Sequence, residues 1–304
     1  MDKRLLKYIK MPLQELICIA DKIRSKYAGS NIELCNILNA RSGACPEDCK
    51  FCAQSCYSTT GAAVYPLKSA QEILGSARFA KKMGAHRFDI VTSGNRLSRK
   101  DFKKIARIIH RIRKDVGISM CASLGRLNRE ELLILKEAGL SRYHHNIETS
   151  ERFFKRIVTT HSFQERIDTI LAAKSTGLEV CSGGIIGMGE NWEDRFSLAL
   201  MLKKLNVDSV PLNILVPIKG TPLGNRQTLS CSDAIRTIAI FRIILRDKTI
   251  KIAAGRESVL KDFQAMGFMA GANGMLIGGY LTIKGRSIDE DWRLVKDIKQ
   301  TWNQ

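Results

Sequence analysis

The chain has 304 residues, 44% hydrophobic and 26% charged, an ordinary globular balance for one or two domains, and no apolar run approaches the ~20 residues that a bilayer span needs. Lysine and arginine number 49 against 30 acidic residues, a formal charge of +19. The basic residues are spread along helical stretches such as 99–114 rather than gathered in an arm. That spread reads as a solvated surface, or one that attracts small anions or an acidic electron carrier, and argues against a nucleic-acid reader.

The opening segment, 1–20, begins basic, but Gln14 and Glu15 interrupt its apolar stretch. An amphipathic helix is expected there rather than a signal peptide. Short apolar strands then alternate with amphipathic helices. Strands are expected at 32–38, 87–91, 117–123, 142–147, 179–185, 209–215, 250–254 and 274–277. Helices are expected at 69–83, 100–114, 128–138, 162–176, 192–205, 232–246, 258–266 and 288–300. Gly84, Gly139 and Gly177 close three of them, as left-handed caps do. Eight alternating units argue for a parallel sheet, and their count favours an α/β fold of the closed (β/α)8 TIM type over a doubly wound open sheet. The expected organisation is a single domain, with residues 1–30 as a helical extension and 31–304 as the barrel.

Three of the nine cysteines fall within eight residues after the first strand, Cys45-Pro-Glu-Asp-Cys49-Lys-Phe-Cys52. Three thiolates on one tight loop are one short of a closed zinc site and suit a four-iron cluster whose fourth iron stays free. The remaining cysteines are diluted over a long chain, which points to a reducing cytoplasm and to metal rather than disulfides. In a barrel the reactive groups gather at the C-terminal ends of the strands. Those ends supply Asp89, Cys121, the run Tyr143-His144-His145-Asn146-Ile147-Glu148, Cys181, Asn213 and Arg256. A strand period of two sets His144, Asn146 and Glu148 on one face, a grouping able to hold the hydroxyls and ammonium of a small polar ligand. Taken singly, His144 and His145 read as hydrogen-bonded structural histidines, and Cys121 and Cys181 as small hydrophobes. Cys121 and Cys181 together, beside Asp89 and Arg256 at equivalent strand ends, resemble a second inorganic site. The glycine-rich run 183–190 matches neither phosphate-cradling pattern, but lets a flat ring approach the backbone over Ile185.

With these segments in view, the chain resembles the radical S-adenosylmethionine (SAM) superfamily, and within it the biotin synthase family, from about Ile32 to the end. The segments that carry the resemblance are 42–52, 143–150, 181–190, 216–222, 254–257 and 268–273. The resemblance implies that Cys45, Cys49 and Cys52 hold a [4Fe–4S] cluster whose open iron SAM chelates. One electron then cleaves SAM to a 5′-deoxyadenosyl radical, which abstracts hydrogen from dethiobiotin before sulfur closes the ring. No catalytic side chain beyond the cofactor ligands is implied. Phe51 and Ile185 are implied to contact adenine, Asn146 and Glu148 the ribose and ammonium side, and Arg166 the SAM carboxylate. Asn213 resembles a dethiobiotin-binding amide, with Asn146 shared between the two ligands. Flavodoxin or ferredoxin as electron donor and a homodimer are implied as well, with no nucleic-acid or membrane partner.

One departure concerns the auxiliary cluster, a [2Fe–2S] site in the best-known members. Cys121, Cys181 and Arg256 match three of its ligands, but Asp89 stands where a cysteine is expected, and a carboxylate oxygen is a poorer partner for cluster iron. Three readings follow. Asp89 ligates a [2Fe–2S] cluster. Alternatively a cluster of another type recruits Cys35, which shares alternate-strand geometry with Cys121 and Cys181. Or the chain performs a different radical reaction, like the barrel enzymes HydE or methylornithine synthase.

Overall fold

In the computed structural model, which describes residues 3–281 and 285–303, nine parallel strands run in chain order around a closed barrel. They are β1 (Glu33–Arg41), β2 (Arg87–Thr92), β3 (Ser119–Ser123), β4 (Leu140–His144), β5 (Glu179–Cys181), β6 (Gly184–Ile186), β7 (Ser209–Ile214), β8 (Thr249–Ile252) and β9 (Gly274–Leu276). β9 returns to pair with β1, and β5 pairs with β7, so β5 and β6 together fill one of eight strand positions. The TIM-type (β/α)8 expectation is met.

The helices between strands form because each presents an apolar stripe to the sheet. α4 (Arg99–Asp115) buries Phe102, Ile105, Ile108, Ile109 and Ile112 at helical spacing and leaves its charges outside. Full burial of each such side chain contributes about 1.5–3 kcal/mol. Ser98 starts this helix by accepting the Asp101 amide hydrogen bond. The others on the barrel are α3 (Ala70–Lys82), α5 (Arg129–Ala138), α6 (Glu151–Ile157), α7 (Phe163–Ser175), α8 (Trp192–Lys204), α9 (Cys231–Leu245), α10 (Gln264–Met269) and α11 (Ile288–Trp302). Gly84, Gly139 and Gly177 have positive φ at their helix ends, as expected. The opening segment is two helices, α1 (Lys3–Lys10) and α2 (Leu13–Ala28), parted at Pro12, and α2 buries Leu16, Ala20 and Arg24. Met1 and Asp2 of the expected first helix, and Gln304, lie outside the described residues.

Three boundaries differ from expectation. The fourth strand ends at His144; the His145 and Ile147 amides still bond to the Cys181 and Gly183 carbonyls, but the chain then turns through left-handed Glu148, which forms a single bridge with Gly184. The fifth strand is broken at Ser182–Gly183, opposite Pro211 of β7, which has no amide hydrogen to give the ladder. A methyl group on Gly183 would lie 1.9 Å from the Pro211 carbonyl oxygen. Gly183→Ala is therefore expected to cost about 1–3 kcal/mol or more, read as a lowered denaturation midpoint. The expected helix at 258–266 is instead a π-helical turn, Arg256–Leu260, a 3-10 turn, Lys261–Phe263, and then α10.

Candidate active site

The three-cysteine loop is an excursion from the end of β1, closed at its base by paired backbone hydrogen bonds between Ser42 and Tyr65. Inside it, the Cys45 amide bonds to Gln54 and the Cys56 amide to the Cys45 carbonyl, which sets the turn. The loop is also clamped to the segment before α7. The Asp48 carboxylate accepts from the Thr159 amide at 2.9 Å, Glu47 faces His161 Nδ1, and the Lys50 amide bonds to Ile157. All three thiols are free, and burial pushes each of them up. Among the described residues no three His, Cys, Asp or Glu side chains converge on a single ion.

Cys45, Cys49 and Cys52 face a cavity of about 380 Å³ that also takes in Phe51, Asn146, Glu148, Arg166, Ile185 and Asn213. Glu148 reaches it through a left-handed backbone, φ 66°, a conformation that costs a non-glycine residue of order 1–3 kcal/mol and collects at functional sites. Its Oε2 is buried without a partner, and its Oε1 lies 3.8 Å from Arg166. Burial pushes the Glu148 carboxyl up, while Arg166 and His144 oppose that shift. Arg166 sits in the first turn of α7, started by the reciprocal Ser162–Glu165 cap, and donates to the Asn146 carbonyl at 2.9 Å. Asn146 Oδ1 accepts from the Gly183 amide at 3.0 Å. Asn213 is held by the Ala254 amide and the Gly184 carbonyl, which leaves one of its N–H bonds free.

Deeper in the same cavity lie Cys35, Asp89, Cys121 and Cys181. They are the third residues of β1, β2, β3 and β5, so Asp89 and Cys121 sit inside the barrel rather than at its rim. Cys35, Cys121 and Cys181 come from alternate strands and point into one layer, as expected. Asp89 Oδ2 pairs with His144 Nδ1 at 2.9 Å, and its buried Oδ1 has no partner. The other His144 nitrogen faces Asn146 Oδ1 at 3.1 Å. Burial disfavours a charged His144, but Cys181 and Asp89 outweigh it and push the imidazole up to about 9.

Arg256 is not brought to this cavity. The π-helical turn carries it outward, where its guanidinium bonds Asp291 at 2.7 Å and Tyr280 at 2.9 Å. The cation beside the deep cysteines is Lys251, whose ammonium lies 3.0 Å from Cys35 Sγ and 2.7 Å from Glu33. Sequence reading missed it, because Ile250-Lys251-Ile252 reads like any strand with one polar face. Lys251 belongs to a buried floor in which Glu33 also binds Arg142 and Arg87, each at 2.7 Å, and Glu179 closes the network. Three cations face two carboxylates, leaving positive charge beneath the thiols. Free thiols over a positive floor, with one unpartnered carboxylate oxygen at each level, fit two anionic iron–sulfur groups and an ammonium-bearing ligand.

The family model of the radical SAM superfamily matches residues 40–202, and that of the biotin and thiamin synthesis associated domain matches 211–299. The chain is 53% identical over 298 residues to the biotin synthase of Thermotoga petrophila, covering 98% of both chains. It is 50% identical over 285 residues to that of Carboxydothermus hydrogenoformans, covering 93% of this chain and 88% of the relative. The chain belongs to the biotin synthase family. Biotin synthases are radical SAM enzymes with a [4Fe–4S] cluster, SAM and an auxiliary iron–sulfur cluster, and this chain is such an enzyme, inserting sulfur into dethiobiotin. Among solved structures, methylornithine synthase superposes with a TM-score of 0.84 at 20% identity, covering 98% of this chain and 92% of that one. The [FeFe]-hydrogenase maturase HydG of C. hydrogenoformans gives 0.80 at 18% identity, covering 97% and 77%. These two share the barrel.

Proposed function

We propose that the single cavity divides by depth into a radical-generating upper half and a sulfur-supplying lower half, with dethiobiotin between them. The observation that carries this reading is one continuous space lined by two separate trios of free thiols. Cys45, Cys49 and Cys52 would hold the [4Fe–4S] cluster, which with SAM supplies a 5′-deoxyadenosyl radical. Glu148 Oε2 offers its unpaired oxygen to the SAM ammonium, Arg166 faces the carboxylate, and Phe51 and Ile185 flank the adenine. Asn146 orients the ribose side, and the free N–H of Asn213 meets the ureido oxygen of dethiobiotin. The buried walls exclude water from the reacting carbons.

Cys35, Cys121 and Cys181 would hold the auxiliary cluster, with Lys251 beneath it. Asp89 is committed to His144 through one oxygen, which favours Cys35 over Asp89 as the third ligand. The [2Fe–2S] type with an aspartate ligand remains the second reading, supported by the unpartnered Asp89 Oδ1. The reaction needs a one-electron reductant, and flavodoxin or ferredoxin suits the chain's positive charge. A cytoplasmic homodimer completes the proposal; among the described residues no helix is long and apolar enough to cross a membrane.

Anaerobically reconstituted protein given SAM, dethiobiotin and reductant is expected to yield biotin and deoxyadenosine, both read by mass spectrometry. Deoxyadenosine without biotin would favour a maturase-like reaction instead. Glu148→Gln is expected to weaken SAM binding by about tenfold or more, ~1.4 kcal/mol, in equilibrium dialysis with iron content unchanged.

A further inference from the structure

A second cavity, of about 630 Å³, opens on the outer side of the cysteine loop. Arg41, Ala44, Pro46, Val64, Asn95 and Arg96 line it. Ala44 and Pro46 are the chain neighbours of Cys45, so only the loop's own backbone separates this cavity from the first thiol. On its other wall, Ser93 Oγ bonds the Gly43 carbonyl at 2.9 Å. Val64 stands 69% exposed at the rim, an apolar contact point beside the opening.

Past Arg96 the chain enters α4, which carries eight Lys and Arg against two Asp. Among the described residues none of these eight pairs with a carboxylate. Lys100, Lys103, Arg107, Arg111 and Lys114 are exposed and fall on one helical stripe that starts at the barrel mouth. Arg99 and Lys100 lie in the first turn, where the helix dipole opposes positive charge. These cations therefore do not serve the helix. They leave a positive surface leading to a cavity lined by Ala44 and Pro46, the chain neighbours of Cys45. No exposed aromatic is interleaved with them, as single-stranded nucleic acid would require.

We propose that an acidic one-electron donor protein docks here, its anionic face on the N-terminal half of α4 and its prosthetic group over the cavity beside Cys45. This rests on Cys45, Cys49 and Cys52 holding the [4Fe–4S] cluster. The reduced donor loses one electron and the cluster gains it; no bond or proton changes hands. The partner is recognised by its acidic surface, which the stripe attracts, and by the approach of its redox group to the loop.

The test uses reconstituted holoprotein, stopped-flow mixing and reduced flavodoxin as the donor. K100E/K103E/R107E is compared with the control K203E/K204E, whose exposed lysines end α8 at the opposite end of the barrel. At low ionic strength the triple variant is expected to lose at least about tenfold in second-order reduction rate, and the control little. The difference should shrink as salt brings the Debye length to about 8 Å, near 0.15 M. Reduction by dithionite should be equal in all three. The neutral variant K100Q/K103Q/R107Q should fall between wild type and triple. Equal loss in the control, no loss in the triple, or slowed dithionite reduction would each overturn the docking site. Unchanged donor rates together with loss of a salt-dependent DNA affinity would assign the stripe to nucleic acid instead. Wild-type protein that assembles no reducible cluster would overturn the cluster assignment itself, a result separate from any effect of α4.

Discussion

Replacing Glu33 with glutamine is expected to cost about 3–5 kcal/mol of stability, the penalty for leaving buried cations without their counter-charge. Glu33 is the only carboxylate that touches Lys251 among the described residues, and it shares Arg87 and Arg142 with the more exposed Glu179. Burial acts against its ionised form, but Lys251 and Arg142 outweigh that and hold the carboxyl well below the usual carboxylate range. A depressed folded-state value contributes stability above the unfolded value of about 4.3. That contribution is lost as the pH falls toward the folded value. Thermal unfolding should therefore separate wild type from Glu33→Gln widely at pH 7, and the gap should narrow below about pH 4. An unchanged midpoint at pH 7 would mean that the floor charges are solvated and the network is not closed.

Cys35→Ala is expected to divide the two halves of the reaction. The upper trio is untouched, so deoxyadenosine formation from SAM should persist at close to the wild-type rate. The auxiliary iron and sulfide should be lost, and biotin formation should fall by at least about a hundredfold, beyond what loss of an outer-shell partner costs. Asp89→Asn should retain the auxiliary iron, because one carboxylate oxygen already serves His144 at 2.9 Å. Iron and sulfide counting with Mössbauer spectra reads both variants. Full iron content in Cys35→Ala with loss in Asp89→Asn would reverse the ligand assignment.

The features legible in the chain were those that act over short sequence distances. The thiol spacing at 45–52, the alternation that sets Asn146 beside Glu148, and the strand–helix rhythm are all local patterns. Cys35 was also legible, since counting strands already places it in the layer of Cys121 and Cys181. What escaped depends on distant segments. Lys251 meets Cys35 only because barrel closure turns its strand face inward. The break in the fifth strand is dictated by Pro211, nearly thirty residues later. Arg256 closely follows β8, yet a single tight turn sends its side chain to Asp291 on α11. Local sequence carried the chemistry of each group, and the closed sheet decided which groups meet.

The charged floor has one more consequence. Glu33, Arg87, Arg142 and Lys251 crowd the barrel beneath the deep thiols, and both trios of thiols share one continuous space above them. Under the proposed division by depth, a group held by Cys35, Cys121 and Cys181 would be renewed through the same space that SAM and dethiobiotin fill during turnover. Repair and catalysis would then compete for one passage.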